Sequence, residues 1–309
     1  MAAGNKVLFI VNPQSGGGRT SKQWKKVERW LRMKNYSFDV QPTERAMHAC
    51  EIAGDALRKG YDHIIAVGGD GTINEVVNGF FLNHEDIRER AFLSVLPMGT
   101  GSDFARVLPV SASADYVEKL LTDCQEMACD IIKTEYLGWN GSPQTRYFIN
   151  VADVGVGCET CIRLNKKSKV MGGFLSFLLT FLGVLFSFKS PEFTVEVDGE
   201  LFYSGKSSLL AINNGKYFGG GVMIAPQASL DDGLMDIMLL KDANTFDFLT
   251  ALPSAYKGKH LDHPKIKLTQ GRQVKLSSAV HIGLEMDGET PGTGDAMIRI
   301  VPAGIKLFV

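Results

Sequence analysis

Three glycine-rich stretches carry the residue types that handle phosphate. Gly68-Gly69-Asp70-Gly71-Thr72-Ile73-Asn74-Glu75 follows a short apolar run and opens a helical pattern. Glycine lets the backbone come close to a phosphate, and the first amides of a helix neutralise its charge. Asn12-Pro13-Gln14-Ser15-Gly16-Gly17-Gly18 and Pro97-Met98-Gly99-Thr100-Gly101-Ser102-Asp103-Phe104 take the same place after two other apolar runs. Neither GxxxxGK[ST] nor GxGxxG occurs, which excludes the P-loop and dinucleotide fingerprints. One such loop alone would read equally well as a tight strand-to-helix turn. Three of them after parallel strands would lie on one sheet edge and could surround a single polyphosphate. Two acidic turns stand further on, Asp231-Asp232-Gly233 and Asp287-Gly288-Glu289. Asp-Gly is first of all a hairpin turn. Beside phosphate loops it becomes chemistry, because phosphoryl transfer needs carboxylates for magnesium and for the acceptor hydroxyl.

The elements that must position these residues follow two rhythms. Residues 7–11, 63–67 and 92–96 read as strands, and 21–34, 46–59 and 72–82 as helices. This alternation predicts an α/β domain with a parallel sheet over 1–130, and ligands bind such sheets at the strand C-terminal ends. Beyond residue 131 alternating strands dominate: 193–197 and 200–204 around Asp198-Gly199, then 207–212, 234–240, 265–269, 272–276, 279–286 and 297–301. A helical insert covers 245–256. The expectation for 131–309 is a mostly antiparallel β-sandwich, with room for the C-terminal segment to return to the first domain. His260 and His263 read as part of a solvated turn before Pro264.

Composition excludes other classes. The 309 residues hold 33 Lys+Arg against 34 Asp+Glu, are 45% apolar and have a mean hydropathy of +0.00. A disordered chain, a fibre and a general nucleic-acid binder are all poor fits. Five sparse cysteines argue for a reducing compartment, and Cys158-x-x-Cys161 lacks the further ligands that a zinc site needs. The apolar run at 7–11 is too short for a signal peptide, so a cytoplasmic location is expected. One segment departs from the average. Residues 170–188 carry no charge, and Arg163, Lys166, Lys167 and Lys169 stand just upstream. Apolar helix plus basic flank suits an anionic membrane surface. A helix packed on the second domain that also touches lipid is preferred, ahead of a plain core helix and a true span. Ser176, Thr180, Gly183 and Ser187 would form a small-residue stripe for close packing.

With these motifs the sequence resembles the diacylglycerol kinase catalytic-domain family, soluble bacterial lipid kinases related to sphingosine kinases. The NPxSG loop, the GGDGTxNEVxNG block through Gly79 and the PxGTxNDFAR block through Arg106 are present in order, with Ser102 where the family usually has Asn. GGDG is shared with NAD kinases and phosphofructokinases, so the resemblance implies an N-terminal domain of that kind. It implies an ATP-dependent kinase that converts diacylglycerol to phosphatidic acid at the inner membrane face. An NAD kinase-like phosphotransferase on a soluble acceptor, or a non-catalytic lipid or nucleotide binder, are the alternatives; a homodimer is compatible with any of them. ATP contacts would come from Asn12, Pro13, Gln14, Ser15, Gly16, Thr43, Gly68, Gly69, Asp70, Gly71, Thr72, Ile73, Asn74, Glu75 and Thr100. Magnesium would be held by Asp232, the carbonyls of Ser229 and Leu234, and the strand carrying Asp130. Glu289 is implied first and Asp287 second as the base, with Asp70 as partner of magnesium or of a nearby amide.

Overall fold

A computed structural model describes residues 6–83, 85–166 and 174–309. Residues 170–173, with Lys167 and Lys169, therefore lie outside the described residues. The chain forms two compact units, Met1–Cys129 with Ala303–Val309, and Asp130–Pro302. The divisions fall inside the strands Glu126–Gly138 and Glu289–Phe308.

The first unit is built on parallel pairing. β1 (Val7–Val11) lies between β2 (Asp39–Pro42) and β3 (His63–Gly68), and β3 pairs with β4 (Phe92–Pro97). β1 and β3 are buried at every position, as continuous apolar runs require when helices cover both faces. The helices α1 (Arg19–Met33), α2 (His48–Arg58) and α3 (Asp70–Phe80) follow β1, β2 and β3. Trp24, Val27 and Leu31 recur on one face of α1 and enter the core with Phe9 and Val67. α2 and α3 come close at Gly79, where a Cβ would stand 2.5 Å from the Cys50 carbonyl oxygen and 2.6 Å from the Ala53 Cβ.

The C-terminal segment returns to this unit and pairs in parallel with β4, Lys306 opposite Phe92 and Leu307 opposite Leu93. A buried polar relay holds it there. His63 Nε2 lies 2.8 Å from Ser94 Oγ, and that hydroxyl donates to the Phe308 carbonyl at 2.8 Å. Burial lowers the His63 pKa to about 4. Because the folded protein resists a proton that the unfolded chain accepts near pH 6.5, this site's stability is present above pH 6.5 and is lost as pH falls toward 4. The full shift corresponds to roughly 3 kcal/mol. Urea unfolding at pH 7 and pH 4.5 should therefore show a smaller acid loss for His63→Gln, which keeps a donor and cannot titrate; an equal loss would remove His63 as the cause.

The second unit is antiparallel. Glu200–Asn213 pairs with Glu192–Val197, Val151–Gly155 and Met235–Lys241, and the last continues to Ile266–Gly271. Val151–Gly155 also pairs with Gly283–Met286. Asp198 and Gly199 have φ of 51° and 87°, both left-handed, which is the geometry a two-residue hairpin demands. Alternate residues serve two cores. Leu210 and Ile212 face Phe148, Phe193, Val274 and Ile298, whereas Leu209 and Ala211 face Val184, Leu185 and Ile224. Asp130 lies in the strand Glu126–Gly138, as the resemblance implied, and the strand Pro143–Phe148 and the helix Val156–Lys166 add to the expected elements.

Two sequence expectations change. On the helix Phe174–Leu185 the buried positions are Thr180, Val184 and Leu185, while Gly183 and the following Ser187 are exposed. A Cβ on Gly183 would meet nothing within 4 Å. Of the small-residue stripe only Thr180 is thus buried, with Ser176 half-buried, and Val184 and Leu185, which offer more apolar area, complete the packing face. His260 is not solvated but 5% exposed, lining an apolar cavity together with Phe177 and Phe181. None of the five cysteines forms a disulfide, and Cys50, Cys129 and Cys158 are buried. Among the described residues no helix is long and apolar enough to cross a membrane.

Candidate active site

The three glycine loops meet at the C-terminal ends of β1, β3 and β4. Asn12 Nδ2 donates to Thr72 Oγ1 at 3.1 Å, tying the first loop to the second, while Asn12 Oδ1 accepts from the Gln14 amide at 3.1 Å. Thr20 Oγ1 donates to the Met98 carbonyl at 2.6 Å, tying the first to the third. A Cβ on Gly69 would stand 3.3 Å from Gly99 Cα and 3.4 Å from Ser15 Oγ. Only bare backbone fits where these loops touch. Gly16 has φ 61°, and a Cβ there would also press on the Met98 carbonyl at 2.9 Å. Thr43 is buried just after β2, its amide donating to the Val11 carbonyl at 2.8 Å, so it stands on the same edge. Pro13, Gly68, Gly71 and Thr100 belong to these loops or to the first turn of α3.

Several acidic and polar side chains here shape the loops. Asp70 Oδ2 accepts from the Asp103 amide at 3.0 Å and Oδ1 from the Phe104 amide at 3.1 Å. Nearby amides are one of the two kinds of partner expected for it. Burial pushes the Asp70 carboxyl up, and those two amides act against the rise. Ile73 and Asn74 are fully buried, and Glu75 accepts from the Met47 and Ala49 amides at 2.9 and 3.1 Å, capping α2. These three side chains support the site by packing and capping. Ser102 adopts φ 48° and its buried hydroxyl has no partner. Asparagine tolerates that conformation better and offers both a donor and an acceptor. Ser102→Asn should therefore raise stability by about 0.5–1 kcal/mol in urea unfolding; a fall would mean that the hydroxyl is needed.

In the second unit the two expected carboxylates of the 287–289 turn differ. Asp287 is buried with φ 49°, its Oδ2 accepting from the Ile149 amide at 3.0 Å and its Oδ1 from Asn150 and Val151 at 3.0 and 3.1 Å. It is the anchor of the turn. Glu289 is exposed and stands first in the strand that leaves it. The turn is also held from behind. Glu285 accepts from the Gly288 amide and lies opposite Asp153, which accepts from the Cys158 amide at 2.7 Å. Burial first, and then the Asp153 charge, holds the Glu285 carboxyl well above its usual range; burial likewise raises Asp153. Both carboxyls are thus biased toward the protonated form.

The turn at 229–234 collects oxygen groups. Ser229 Oγ donates to Asp231 Oδ1 at 2.7 Å, and Asp232 Oδ1 accepts from the Leu234 amide at 3.0 Å. Buried Asp130 accepts from the Gly233 amide at 2.7 Å, while its own amide donates to the Leu230 carbonyl at 2.6 Å. Among the described residues no group of three His, Cys, Asp or Glu side chains forms a metal centre. The oxygen-only donors of this turn fit a hard cation that keeps much of its water.

Comparison with known proteins decides the family. Residues 6–134 match the diacylglycerol kinase catalytic domain, and residues 151–309 match the YegS C-terminal NAD kinase beta sandwich-like domain. The diacylglycerol kinase of Bacillus subtilis (strain 168) is 34% identical over 93% of this chain and 90% of its own length. The chain belongs to the diacylglycerol kinase family. A diacylglycerol kinase of Staphylococcus aureus (strain MRSA252) is 28% identical over 98% of this chain and 92% of that one. A crystal structure of a diacylglycerol kinase from Bacillus anthracis (strain Sterne) shares the fold, with a TM-score of 0.73 at 22% identity, covering 99% of this chain and 97% of that one. Kinase membership implies ATP as the phosphate donor.

The kinase has a further feature that the sequence did not reveal. A cavity of about 100 Å³ in the second unit is lined by Phe177, Phe181, Phe218, Met238, Phe248 and Leu252, among others. It opens beside the helices Phe174–Leu185 and Thr245–Ala255, whose Phe181 and Phe248 rings meet edge to face at 6.0 Å. Its residues come from positions 156 to 266, and no local pattern marks them. Only the apolar character of 170–188 pointed in this direction.

Proposed function

We propose that this chain is an ATP- and Mg²⁺-dependent lipid kinase that transfers the γ-phosphate to the hydroxyl of diacylglycerol, forming phosphatidic acid. The observation that carries the lipid acceptor is the apolar cavity, which offers room for part of an acyl chain and little to a polar nucleotide. Catalysis on this reading is mostly positioning. Amides of the loops at Ser15–Gly18, 68–72 and 97–101 hold the phosphates, with Asn12 and Thr72 fixing the loops to one another. The acceptor oxygen attacks the γ-phosphorus, the bond to the β–γ bridging oxygen breaks, and ADP leaves with that electron pair. Glu289 takes the hydroxyl proton, and Asp287 positions its turn. Asp232, with the Ser229 and Leu234 carbonyls and Asp130 behind them, would hold Mg²⁺, which when bound supplies positive charge to that turn.

Work at the cytoplasmic membrane surface belongs to the same reading. Phe186 is 80% exposed and Phe246 72%, and each stands at an end of one of the two helices beside the cavity. Such side chains suit the boundary of a bilayer. The test is incubation with γ-labelled ATP, Mg²⁺, a mixed lipid extract and NAD. The expected product is a labelled lipid heavier than diacylglycerol by one phosphate. Label on NAD alone, or no labelled product, would overturn the proposal.

A further inference from the structure

The apolar cavity contains a polar ring whose nitrogens make no hydrogen bond of good geometry within the protein, the Ile224 carbonyl being the backbone group that acts on it. His260 lines it beside Ile224, Met238 and Phe248, and neither Nδ1 nor Nε2 makes a hydrogen bond. The other polar side chains nearby are engaged. His263 Nδ1 accepts from the Lys265 amide at 3.2 Å, and Asp247 accepts from the Asn244 amide at 2.8 Å and from Lys265 Nζ at 2.6 Å. An orphaned buried polar group is rare in folded proteins and costs stability unless something answers it.

The ring is also fixed in place. The chain turns at 257–259 through hydrogen bonds from the Lys257 and Lys259 amides to the Ser254 carbonyl, at 3.0 and 2.9 Å. Gly258, at φ 65°, is so tightly packed that a Cβ would stand 2.7 Å from both Met223 Sδ and Pro226 Cγ. The backbone that carries His260 is thus held, and its side chain is 5% exposed. Burial lowers its pKa against a smaller opposing effect of the Ile224 carbonyl, so the ring is neutral, with one N–H to donate and one bare nitrogen to accept. A water molecule needs two to four polar partners to settle in a cavity. Apolar walls beside His260 do not provide them. An oxygen brought in by an apolar ligand does not have that requirement.

We propose that His260 is the polar anchor of this cavity, hydrogen-bonding an oxygen carried on an otherwise apolar lipid. The oxygen is an ester carbonyl of a glyceride or a hydroxyl within the chain; both are met by the same ring. The inference rests on the cavity being the lipid site of the proposed kinase, and it adds that the site selects by the position of an oxygen as well as by apolar bulk. A site built around a buried hydrogen bond rejects the analogue that lacks it.

Binding without ATP tests this separately from turnover. Displacement of cis-parinaric acid by dioctanoylglycerol, by the ether analogue dioctylglycerol and by a chain-hydroxylated ether analogue would be measured on the full chain. The unaltered protein should favour the ester over the plain ether by about tenfold or more. If the oxygen is a chain hydroxyl, the hydroxylated ether alone recovers the loss. His260→Leu should erase the preference while unfolding at higher urea, since it removes an unpartnered polar group; His260→Asn should keep part of it. Equal binding of all three ligands, absence of binding, or a preference that survives His260→Leu would each overturn the inference. His260-dependent selectivity without any labelled product would sink the kinase reading and leave this one standing, and phosphorylation indifferent to His260 would do the reverse.

Discussion

Gly99→Ala is expected to reduce phosphoryl transfer by at least about 100-fold, the loss typical of displacing a reacting group by an ångström. The added Cβ would fall within van der Waals contact of Gly69 Cα and stand 2.9 Å from Gly69 N and 3.3 Å from the Gly68 carbonyl oxygen. All three are backbone atoms at the junction of β3 and α3. No side chain can rotate away to relieve the clash, so the second and third loops must separate. The same two loops are joined by the Asp70 carboxylate to the Asp103 and Phe104 amides, and that bridge would be strained as well. Overpacking of this kind also destabilises by about 1–3 kcal/mol. Calorimetric titration with ATP and a labelled-phosphate assay, run beside urea unfolding, separate the two effects. A Gly99→Ala protein that binds ATP and turns over at the parent rate would show that this loop contact does not shape the phosphate site.

The second large effect distinguishes the two carboxylates of the Asp287-Gly288-Glu289 turn. Asp287→Ala removes the acceptor for the Ile149, Asn150 and Val151 amides at once. Hydrogen bonds to a charged acceptor contribute about 1.5–3 kcal/mol each, and their loss as a group is not additive. A fall of roughly 4 kcal/mol in unfolding free energy is expected, near the upper end for one substitution. Glu289→Gln should behave oppositely. Its side chain is exposed, so the urea midpoint should stay where it was, while turnover falls by about 10²- to 10⁴-fold as a general base is lost. Parent-like turnover in Glu289→Gln, or unchanged stability in Asp287→Ala, would reverse the assignment of base and anchor.

This contrast shows where sequence reading stops. Asp287 and Glu289 are two residues apart and chemically alike, and their order of preference as base followed from a family motif. What separates them is the set of amides at 149–151, some 136 to 138 positions away in the chain. The same limit applies to Asp70 and Glu75, which sit inside the most specific motif of the chain. Both spend their carboxylates on amides of other segments, 103–104 and 47–49. Asp153 and Glu285 meet only because their strands pair, and nothing near either in sequence announces that two buried acids face each other. His260 looked like part of a polar turn because its neighbours in the chain are polar; in space it lines a cavity shared with Ile224, Met238 and Phe248.

The sequence by itself determined the three phosphate loops, the change from helix-strand alternation to alternating strands near residue 130, and family membership through its ordered motifs. These are local properties: strand and turn preferences act within about ten residues, and a glycine loop is needed wherever backbone must approach backbone or phosphate. Only the tertiary structure decided which acids are anchors and which face solvent, which face of the helix Phe174–Leu185 is buried, and that an apolar cavity with one unpartnered histidine exists at all. Burial and hydrogen-bond partners depend on contacts between distant segments, and those are properties of the packed chain rather than of any stretch of it.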